Sequence, residues 1–291
     1  MGIDYVVPMV FNDDPSWRDG LRKIGKSYDE TNTEETVRYR SWGTERLLIK
    51  AVKKNMPWLR RIYVLLAQES QKKSWMDEEG VCVVYHREII PSQFLPTFNS
   101  RTIEMFLKNI PNISEQFIYG NDDMFPLSPM EQEDFFVDGK PCLHHKEKPL
   151  PEDMNAWHMA CLNGLNFVAA EFGKHYDKTI LKGGHSLAPI LLSTCNHLWN
   201  RDSYNIIKSI TPTRTIINFN QYIYSWWQHL SGEYVDKTPK RKYVSTKYAI
   251  QDIVDAINEG GIVCINDNEC VDDYMVYGNA VAEAIERKLM E

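Results

Sequence analysis

Short apolar runs alternate with amphipathic segments over the first half of the chain. Compact apolar runs at residues 3–10, 61–67, 81–85 and 116–120 predict buried β-strands. Between the first two, apolar positions three and four residues apart over residues 43–52 predict a helix. Because strands that alternate with helices usually pair in parallel, this pattern predicts an α/β fold with a mostly parallel sheet.

The pattern changes in the middle of the chain. Apolar residues recur with helical spacing over residues 155–172 and 187–199. The apolar segment at residues 222–227 fits neither the helical nor the strand period decisively. Residues 231–245 are mostly polar and predict a loop or a hairpin. The middle is therefore expected to be a mainly helical insert.

The C-terminal part returns to alternating elements. Residues 248–257 and 274–289 predict helices, and residues 262–265 predict a short strand between them. The predicted fold class is α/β, with a Rossmann-like or GT-A-like, mostly parallel sheet, a helical insert and a C-terminal strand that returns to the sheet. The predicted parts of the chain are a core at residues 1–150, the insert at 151–245 and a segment completing the core at 246–291.

Composition and charge restrict the class of protein. The 291 residues are 43% apolar and 25% charged, which is typical of a globular protein. With 33 basic and 40 acidic residues the net charge is −7, which argues against a nucleic-acid partner, since that requires a basic face. No apolar run approaches the roughly 20 residues of a membrane span, so no integral membrane segment is expected. Six scattered cysteines without a CxxC pair predict reduced thiols and a cytoplasmic location.

Carboxylates and amides follow two of the predicted strands. Asn121-Asp122-Asp123 comes directly after the strand at 116–120, and Asn266-Asp267-Asn268 comes after the strand at 262–265. Ligands of open α/β sheets lie outside the carboxyl ends of the strands. Adjacent carboxylates there would be stabilised by a divalent cation, which can also clamp a pyrophosphate. The alternative is that both segments are ordinary solvated turns.

A loop and a histidine are further candidates. The loop at residues 95–100 delivers Asn99 and Ser100 to a predicted helix N-terminus, where free N–H groups suit phosphate, although an ordinary helix cap has the same pattern. His185 follows two glycines and could act as a general base near neutral pH, or could be a surface or capping residue.

Three arginines could bind phosphate oxygens through their guanidinium forks. These are Arg38, Arg40 and Arg214, and surface salt bridges are the alternative for each. The sequence contains no Walker motif, no GxGxxG, no GxSxG and no HExxH. The common nucleotide-fold enzymes and a zinc enzyme are therefore not expected.

Several of these segments together resemble the Stealth proteins. Asp4-Tyr5-Val6-Val7 and residues 12–17 are similar to the opening motif of that family, and Arg38-Tyr39-Arg40 and residues 57–63 continue the similarity. Residues 95–125 resemble the second conserved block almost throughout. His185, followed 29 residues later by Arg214, stands in the place of the third block, and residues 264–268 resemble the fourth.

The resemblance implies sugar-1-phosphate transfer. A Stealth protein of the bacterial kind would transfer hexose-1-phosphate, such as GlcNAc-1-phosphate, from a nucleotide-sugar to a hydroxyl of a glycan or lipid-linked oligosaccharide. The product would be a phosphodiester of capsule or cell-surface polysaccharide, and a nucleoside monophosphate would be released. UDP-GlcNAc is the commonest donor in the family. The expected location is the bacterial cytoplasm, with peripheral association at the inner face of the membrane, and residues 1–150 would bind the nucleotide-sugar.

The resemblance also implies roles for particular residues. His185 would be the general base, and Arg214 would stabilise charge on the transferred phosphate, with Asp122 and Asp123 completing the catalytic set. Mg²⁺ or Mn²⁺ would be held by Asp122, Asp123, Asp267 and Asn268. The predicted substrate-binding residues are Asp4, Asp14, Arg38, Arg40, Asn99, Ser100 and Asn121.

Two other functions fit parts of the sequence. A metal-dependent glycosyltransferase of the GT-A type could use Asn121-Asp122-Asp123 as its acidic motif and would release a nucleoside diphosphate. A non-catalytic module could bind a glycan or nucleotide, with Trp226-Trp227 stacking on a sugar. The identity of the released nucleotide distinguishes the first alternative, and binding without turnover would indicate the second.

Overall fold

The fold is described from a computed structural model. It describes residues 2–26, 37–267 and 274–291. The strands are β1 (Ile3–Pro8), β2 (Arg61–Leu66), β3 (Val81–Tyr85), β4 (Gln116–Tyr119), β5 (Met124–Pro126), β6 (Phe136–Val137), β7 (Lys140–Leu143), β8 (Lys146–Pro149), β9 (Thr179–Lys182), β10 (Ala188–Leu191), β11 (Val235–Asp236), β12 (Arg241–Ser245) and β13 (Ile262–Asn266). The α-helices are α1 (Pro15–Lys23), α2 (Glu45–Asn55), α3 (His86–Ile89), α4 (Ser100–Met105), α5 (Ala156–Ala169), α6 (Leu192–Lys208), α7 (Tyr222–Leu230), α8 (Ile250–Glu259) and α9 (Tyr274–Met290).

A five-stranded sheet forms the centre of the fold, in the order β10-β4-β1-β2-β3. The strands β4, β1, β2 and β3 pair in parallel, with Val6 of β1 opposite both Tyr63 and Tyr119. The predicted parallel sheet is therefore confirmed. Side chains alternate across it, so that Tyr5 packs in the apolar cluster on one face and Phe117 in the cluster on the other. Burial on both faces explains why these strands are continuous apolar runs.

The prediction of a helix at residues 187–199 is wrong at its start. Ala188–Leu191 is the strand β10, which pairs antiparallel with β4, and α6 begins only at Leu192. Ile190 is fully buried in this position. Pairing with β4 satisfies the backbone groups of a short apolar segment that periodicity cannot assign to strand or helix.

The C-terminal strand does not return to the central sheet. β13 pairs in parallel with β12 and antiparallel with β5, so these three strands form a second sheet. The prediction of a loop or hairpin at 231–245 is also wrong in part, because residues 241–245 form the strand β12. Helix α8 then provides the crossover from β12 to β13. This second sheet brings Cys264 of β13 opposite Met124, the residue after Asp123.

The insert combines helices with strands, and one of these strands, β9, pairs with β8, which lies just before the insert. α5 and α7 pack against each other beside the central sheet, and β8 pairs antiparallel with β9. Trp226 of α7 is 2% exposed and its Nε1 donates to the carbonyl of Leu181, so it belongs to the core and cannot stack on a glycan. The division of the chain at residues 150 and 245 stays a prediction. Within the described residues, no helix combines the length and apolar character needed to cross a membrane.

Candidate active site

A cleft of about 1460 Å³ opens at the edge of the central sheet where β1, β2 and β4 end. Its walls come from these strand ends, the start of α4, the loop after β9 and the loop that precedes α7. The structure brings most of the predicted site residues together in this cleft. They are Arg38, Arg40, Asn99, Ser100, Asn121, Asp122, Asp123, His185, Arg214 and Asp267.

Asp4 and Asp14 are not among the residues that line the cleft. Asp4 lies at the other end of β1, fully buried, and its carboxylate accepts hydrogen bonds from Arg60 (2.6 and 2.9 Å) and from the backbone N–H of Ser114 (2.7 Å). It therefore forms a buried ion pair, and its predicted role in substrate binding is corrected.

Asp14 caps helix α1. Its Oδ1 accepts a hydrogen bond from the backbone N–H of Ser16, and its Oδ2 accepts from Ser70 Oγ (2.7 Å) and Gln68 Nε2 (3.0 Å). Burial raises the pKa of this carboxyl, but the hydrogen bonds outweigh burial and leave the pKa below its ordinary value. The carboxylate is thus fully used by the cap, and Asp14 is also corrected from a substrate ligand to a structural residue.

The loop after β4 concentrates negative charge. Burial, together with the neighbouring carboxylates of Asp123 and Glu45, raises the pKa of Asp122 to about 8. The same environment raises the pKa of the buried Tyr5 hydroxyl, mainly through burial and then through Asp122. The cleft floor therefore favours a proton or a cation at Asp122 near neutral pH.

Asp123 has one oxygen in use and one free. Its Oδ2 accepts a hydrogen bond from Asn266 Nδ2 at 3.1 Å and lies 3.5 Å from Cys264 Sγ. Its Oδ1 is buried and has no hydrogen-bond partner in the described part of the chain. A buried carboxylate oxygen without a partner is costly, so this atom is suited to a cation.

Asp267 is held by an arginine. Its carboxylate forms a bidentate ion pair with Arg40, with Nη2 of Arg40 at 2.6 Å from Oδ1, and also accepts from Trp42 Nε1 at 3.0 Å. Burial raises the pKa of this carboxyl against the opposing effect of Arg40. The structure therefore directs Asp267 to Arg40 rather than to a metal. The other metal ligand predicted from this segment, Asn268, lies outside the described residues.

His185 is placed by a glycine pair and a tyrosine. A Cβ on Gly184 would lie within 2.5 Å of the Arg241 guanidinium, and a Cβ on Gly183 would lie 3.0 Å from His145, so both positions require close backbone approach. The His185 Nδ1 lies 2.9 Å from the hydroxyl of Tyr222. In the tautomer in which Nδ1–H donates to Tyr222, Nε2 carries the lone pair that a general base needs.

Two guanidinium groups lie beside the start of α4. Arg214, on the exposed rim, donates from Nη2 to Ser100 Oγ at 2.8 Å. Arg101 is 9% exposed, donates to the carbonyl of Thr215 at 3.1 Å, and was not predicted from the sequence. Burial and then repulsion by Arg214 lower the pKa of Arg101. An anion bound between them would relieve this repulsion, so the pair is suited to phosphate.

Asn99 connects the start of α4, which carries Arg101, to the loop that carries Arg214. It is the N-cap of α4 in place of the predicted Ser100, and its Oδ1 accepts from the backbone N–H of Arg101. Its Nδ2 donates to the carbonyls of Thr211 and Thr213 at 3.1 and 3.2 Å. Asn99 is fully buried, so it fixes the loop that carries Arg214, while Ser100 faces the cleft.

The raised pKa of Asp122 predicts a pH-dependent effect on stability. Above pH 3.8 the unfolded chain ionises this carboxyl, whereas the folded protein keeps its proton until about pH 8, so the destabilisation grows over that interval. Each pKa unit corresponds to about 1.4 kcal/mol before screening by water. We therefore expect Asp122→Asn to stabilise the metal-free protein by about 1–3 kcal/mol at pH 8.5 and by almost nothing at pH 4.

Denaturant unfolding in EDTA at both pH values measures this effect. Asp153→Asn, at an exposed carboxylate, is the matched control and should change stability little at either pH. Equal stabilisation by Asp122→Asn at pH 4 and pH 8.5 would show that the effect does not come from ionisation.

Comparison with known proteins assigns the family. The family model described as Stealth protein CR2, conserved region 2, matches residues 38–143. The chain is 30% identical to the receptor polysaccharide phosphotransferase WefC of Streptococcus oralis, over 93% of this chain and 92% of that protein. It is 29% identical to the capsular polysaccharide phosphotransferase WcwK of Streptococcus pneumoniae, over 91% and 90%. It is 30% identical to the capsular polysaccharide phosphotransferase cps1A of Actinobacillus pleuropneumoniae, over 81% and 67%. The resemblance noted in the conserved segments is confirmed, and the chain belongs to the Stealth protein family.

Proposed function

We propose that this protein is an enzyme that transfers hexose-1-phosphate from a nucleotide-sugar to a hydroxyl of an acceptor sugar. The observation that carries the proposal is that His185, the Arg101–Arg214 pair and the acidic loop at Asp122-Asp123 line one cleft. Relatives that align with most of the chain are named polysaccharide phosphotransferases, which supports phosphate transfer in capsule or cell-surface polysaccharide synthesis.

The proposed reaction takes place at the β-phosphorus of the donor. The acceptor oxygen forms a new bond to this phosphorus, and the bond to the oxygen that bridges the two phosphorus atoms breaks. The nucleoside monophosphate leaves with that bridging oxygen. Nε2 of His185 takes the hydroxyl proton, and the sugar keeps its anomeric C–O bond. Because phosphoryl transfer depends mainly on positioning and charge stabilisation, the guanidinium groups of Arg214 and Arg101 would supply the main cationic contacts of the protein.

Mg²⁺ or Mn²⁺ is the cofactor we propose for the acidic loop. Oδ1 of Asp123, which has no hydrogen-bond partner in the described ranges, and the carboxyl of Asp122, whose ionisation is suppressed, fit a hard divalent cation. When bound, such an ion would neutralise part of the charge of the diphosphate. The remaining functions, namely proton removal and contact with the transferred phosphate, are left to His185, Arg101 and Arg214.

Removal of the metal is therefore expected to abolish turnover. EDTA should reduce the rate at least 100-fold, because the diphosphate would lose the cation that neutralises part of its charge. Excess Mg²⁺ or Mn²⁺ should restore activity, and nucleotide release measured before and after the addition tests this. Full activity in chelator would remove the metal from the proposal.

The released nucleotide is the decisive measurement of the reaction type. Purified protein is incubated with Mg²⁺, a panel of nucleotide-sugars that includes UDP-GlcNAc, and a saccharide acceptor, and the nucleotides are separated. We expect a monophosphate to be released in step with formation of a phosphodiester that retains the sugar. Release of a diphosphate would instead support the GT-A glycosyltransferase. Binding without release would support the non-catalytic module, although Trp226, one of the two tryptophans proposed to stack on a sugar, is buried.

One arm of the cleft is suited to the acceptor. We give the name arm to the part of the cleft lining formed by Lys148, Lys182, His158 and Trp157. Trp157 is 39% exposed, and its ring centroid lies 5.1 Å from that of His158, with the two rings nearly perpendicular. An exposed indole can stack on the apolar face of a sugar ring. We therefore place the glycan or lipid-linked oligosaccharide acceptor in this arm.

The proposed location is the bacterial cytoplasm with peripheral association at the inner membrane face, because that is where nucleotide-sugars and lipid-linked acceptors meet.

Trp157→Ala is expected to weaken acceptor binding selectively. Loss of about 0.5–1.5 kcal/mol of stacking corresponds to a rise of roughly 2- to 12-fold in the KM for acceptor. The KM for the donor should stay unchanged. Tyr204→Ala, which removes a 64% exposed ring outside the cleft lining, is the matched control. An equal rise in both KM values would show that Trp157 supports the cleft as a whole.

A further inference from the structure

We propose that Asp123, His185 and Cys264 form a site for a thiophilic divalent cation of the Zn²⁺ class, and that occupation of this site inhibits the enzyme. The three residues come from separate parts of the chain, so no zinc-binding spacing is visible in the sequence. Binding of the cation is independent of the proposed reaction, whereas inhibition rests on the proposed function, in which His185 is the general base.

The geometry of the three side chains supports the site. The ligand atoms of Asp123, His185 and Cys264 all lie within 4.8 Å of one another. Antiparallel pairing of β5 with β13 fixes Cys264 next to the acidic loop, and the loop after β9 adds His185 from the other side. Cys264 is fully buried, and Asp123 Oδ1 is buried with no hydrogen-bond partner among the residues that the structure describes. A cation would supply that oxygen with the interaction it lacks.

Charge balance favours a divalent ion that Cys264 binds as a thiolate. The Cys264 thiol lies 3.5 Å from Oδ2 of Asp123 and donates its S–H toward that oxygen. On binding, the S–H proton passes to solvent and a bond forms between the sulfur and the metal. One thiolate, one carboxylate and one neutral imidazole then neutralise the charge of the ion.

The donor set discriminates between metals. Sulfur and imidazole nitrogen are ligands of Zn²⁺ and Co²⁺, whereas Mg²⁺ prefers oxygen alone and would use only the carboxylates. A thiophilic ion would also engage the lone pair of His185, which then cannot accept the proton of the acceptor hydroxyl. The same cleft would thus be active with Mg²⁺ and inhibited by a thiophilic ion.

Cobalt provides a direct readout of the thiolate ligand. Metal-free protein is titrated with Co²⁺, and the near-ultraviolet charge-transfer absorption of a thiolate–Co²⁺ bond is recorded. We expect the band in the wild type and in Cys82→Ser, a control at a half-buried thiol on β3. The band should be absent in Cys264→Ser, where the hydroxyl can still donate to Asp123, and Zn²⁺ should displace Co²⁺ from the wild type. His185→Gln, a second variant, should shift the band and weaken Co²⁺ binding at least tenfold.

Inhibition is measured separately with Mg²⁺ present. Zn²⁺ should inhibit the wild type reversibly, and Cys264→Ser, measured against its own turnover with Mg²⁺ alone, should require at least tenfold more Zn²⁺ for half-inhibition. Absence of the band at saturating Co²⁺, or a band that persists in Cys264→Ser, would overturn the site. Equal inhibition of both proteins by Zn²⁺ would overturn the inhibitory role. A normal band in a protein without phosphotransfer would instead leave the site standing and contradict the proposed function.

Discussion

His185→Ala is expected to lower kcat by about 10²–10⁴-fold, the range typical of a lost general base. The imidazole lines the cleft together with Asp122 and Asp123, and its Nδ1 is fixed 2.9 Å from the hydroxyl of Tyr222. This leaves Nε2 for the acceptor hydroxyl. The side chain is only partly buried, so its loss should change the free energy of unfolding little. The measurement is nucleotide release at saturating donor and acceptor, with circular dichroism to confirm folding.

Two further variants separate the role of the base from its positioning. His175→Ala removes an exposed imidazole outside the cleft lining and should retain the wild-type rate. Tyr222→Phe should lower kcat less than His185→Ala, because Nδ1 loses the partner that orients the imidazole while the base itself remains. Wild-type turnover in His185→Ala would eliminate the proposed mechanism, whatever the result for Tyr222.

The central sheet could be predicted because its strands are buried on both faces. Strands such as β1 and β2 therefore appear in the sequence as unbroken apolar runs. The edge strand β10 and the partner of β13 could not be predicted in the same way. Both depend on which free sheet edge a short apolar segment meets, and this is decided by contacts between residues far apart in the chain.

The site shows the same division between local and long-range information. Asp122, Asp123 and His185 could be found because a strand end or a glycine pair places polar residues at the sheet edge. Asp4 and Asp14 also stand in segments that are similar to the family motif. However, the Asp4 carboxylate forms a buried ion pair with Arg60, and the Asp14 carboxylate caps α1. The family motif contained both acids without indicating that Asp4 would be buried at the start of β1 and that Asp14 would cap α1.

Arg101 and Tyr222 were missed for a related reason. Each is an ordinary residue in its own segment, one at the start of α4 and one at the start of α7. They become site residues only because Asn99 links α4 to the 211–218 loop and because α7 lies against the loop of His185. The one available signal was that Arg101 follows Ser100 in the segment most similar to the family.

Arg214→Ala is expected to reduce kcat by about 10²–10³-fold, as loss of one charge-stabilising donor does elsewhere. Its guanidinium is directed to Ser100 at the rim of the cleft, beside the buried Arg101. The kcat of Arg214→Lys should lie between those of the wild type and Arg214→Ala, because lysine keeps the positive charge but lacks the guanidinium fork that binds two oxygens. Arg22→Ala, on the exposed surface of α1, is the matched control. The measurement is kcat and the KM for donor by nucleotide release.

The combination with Arg101 tests whether the two guanidinium groups act on the same phosphate. Arg101→Met alone should lower kcat by about 10-fold, because one of its N–H groups is already used by the carbonyl of Thr215. The double variant should lose less than the product of the single losses, since the second removal acts on a phosphate site that is already impaired. If the loss of kcat in the double variant instead equals the product of the single losses, the two arginines act on different groups of the substrate. If Arg214→Ala raises only the KM for donor, the residue contributes equally to the bound substrate and the transition state, and its assigned role in catalysis is contradicted.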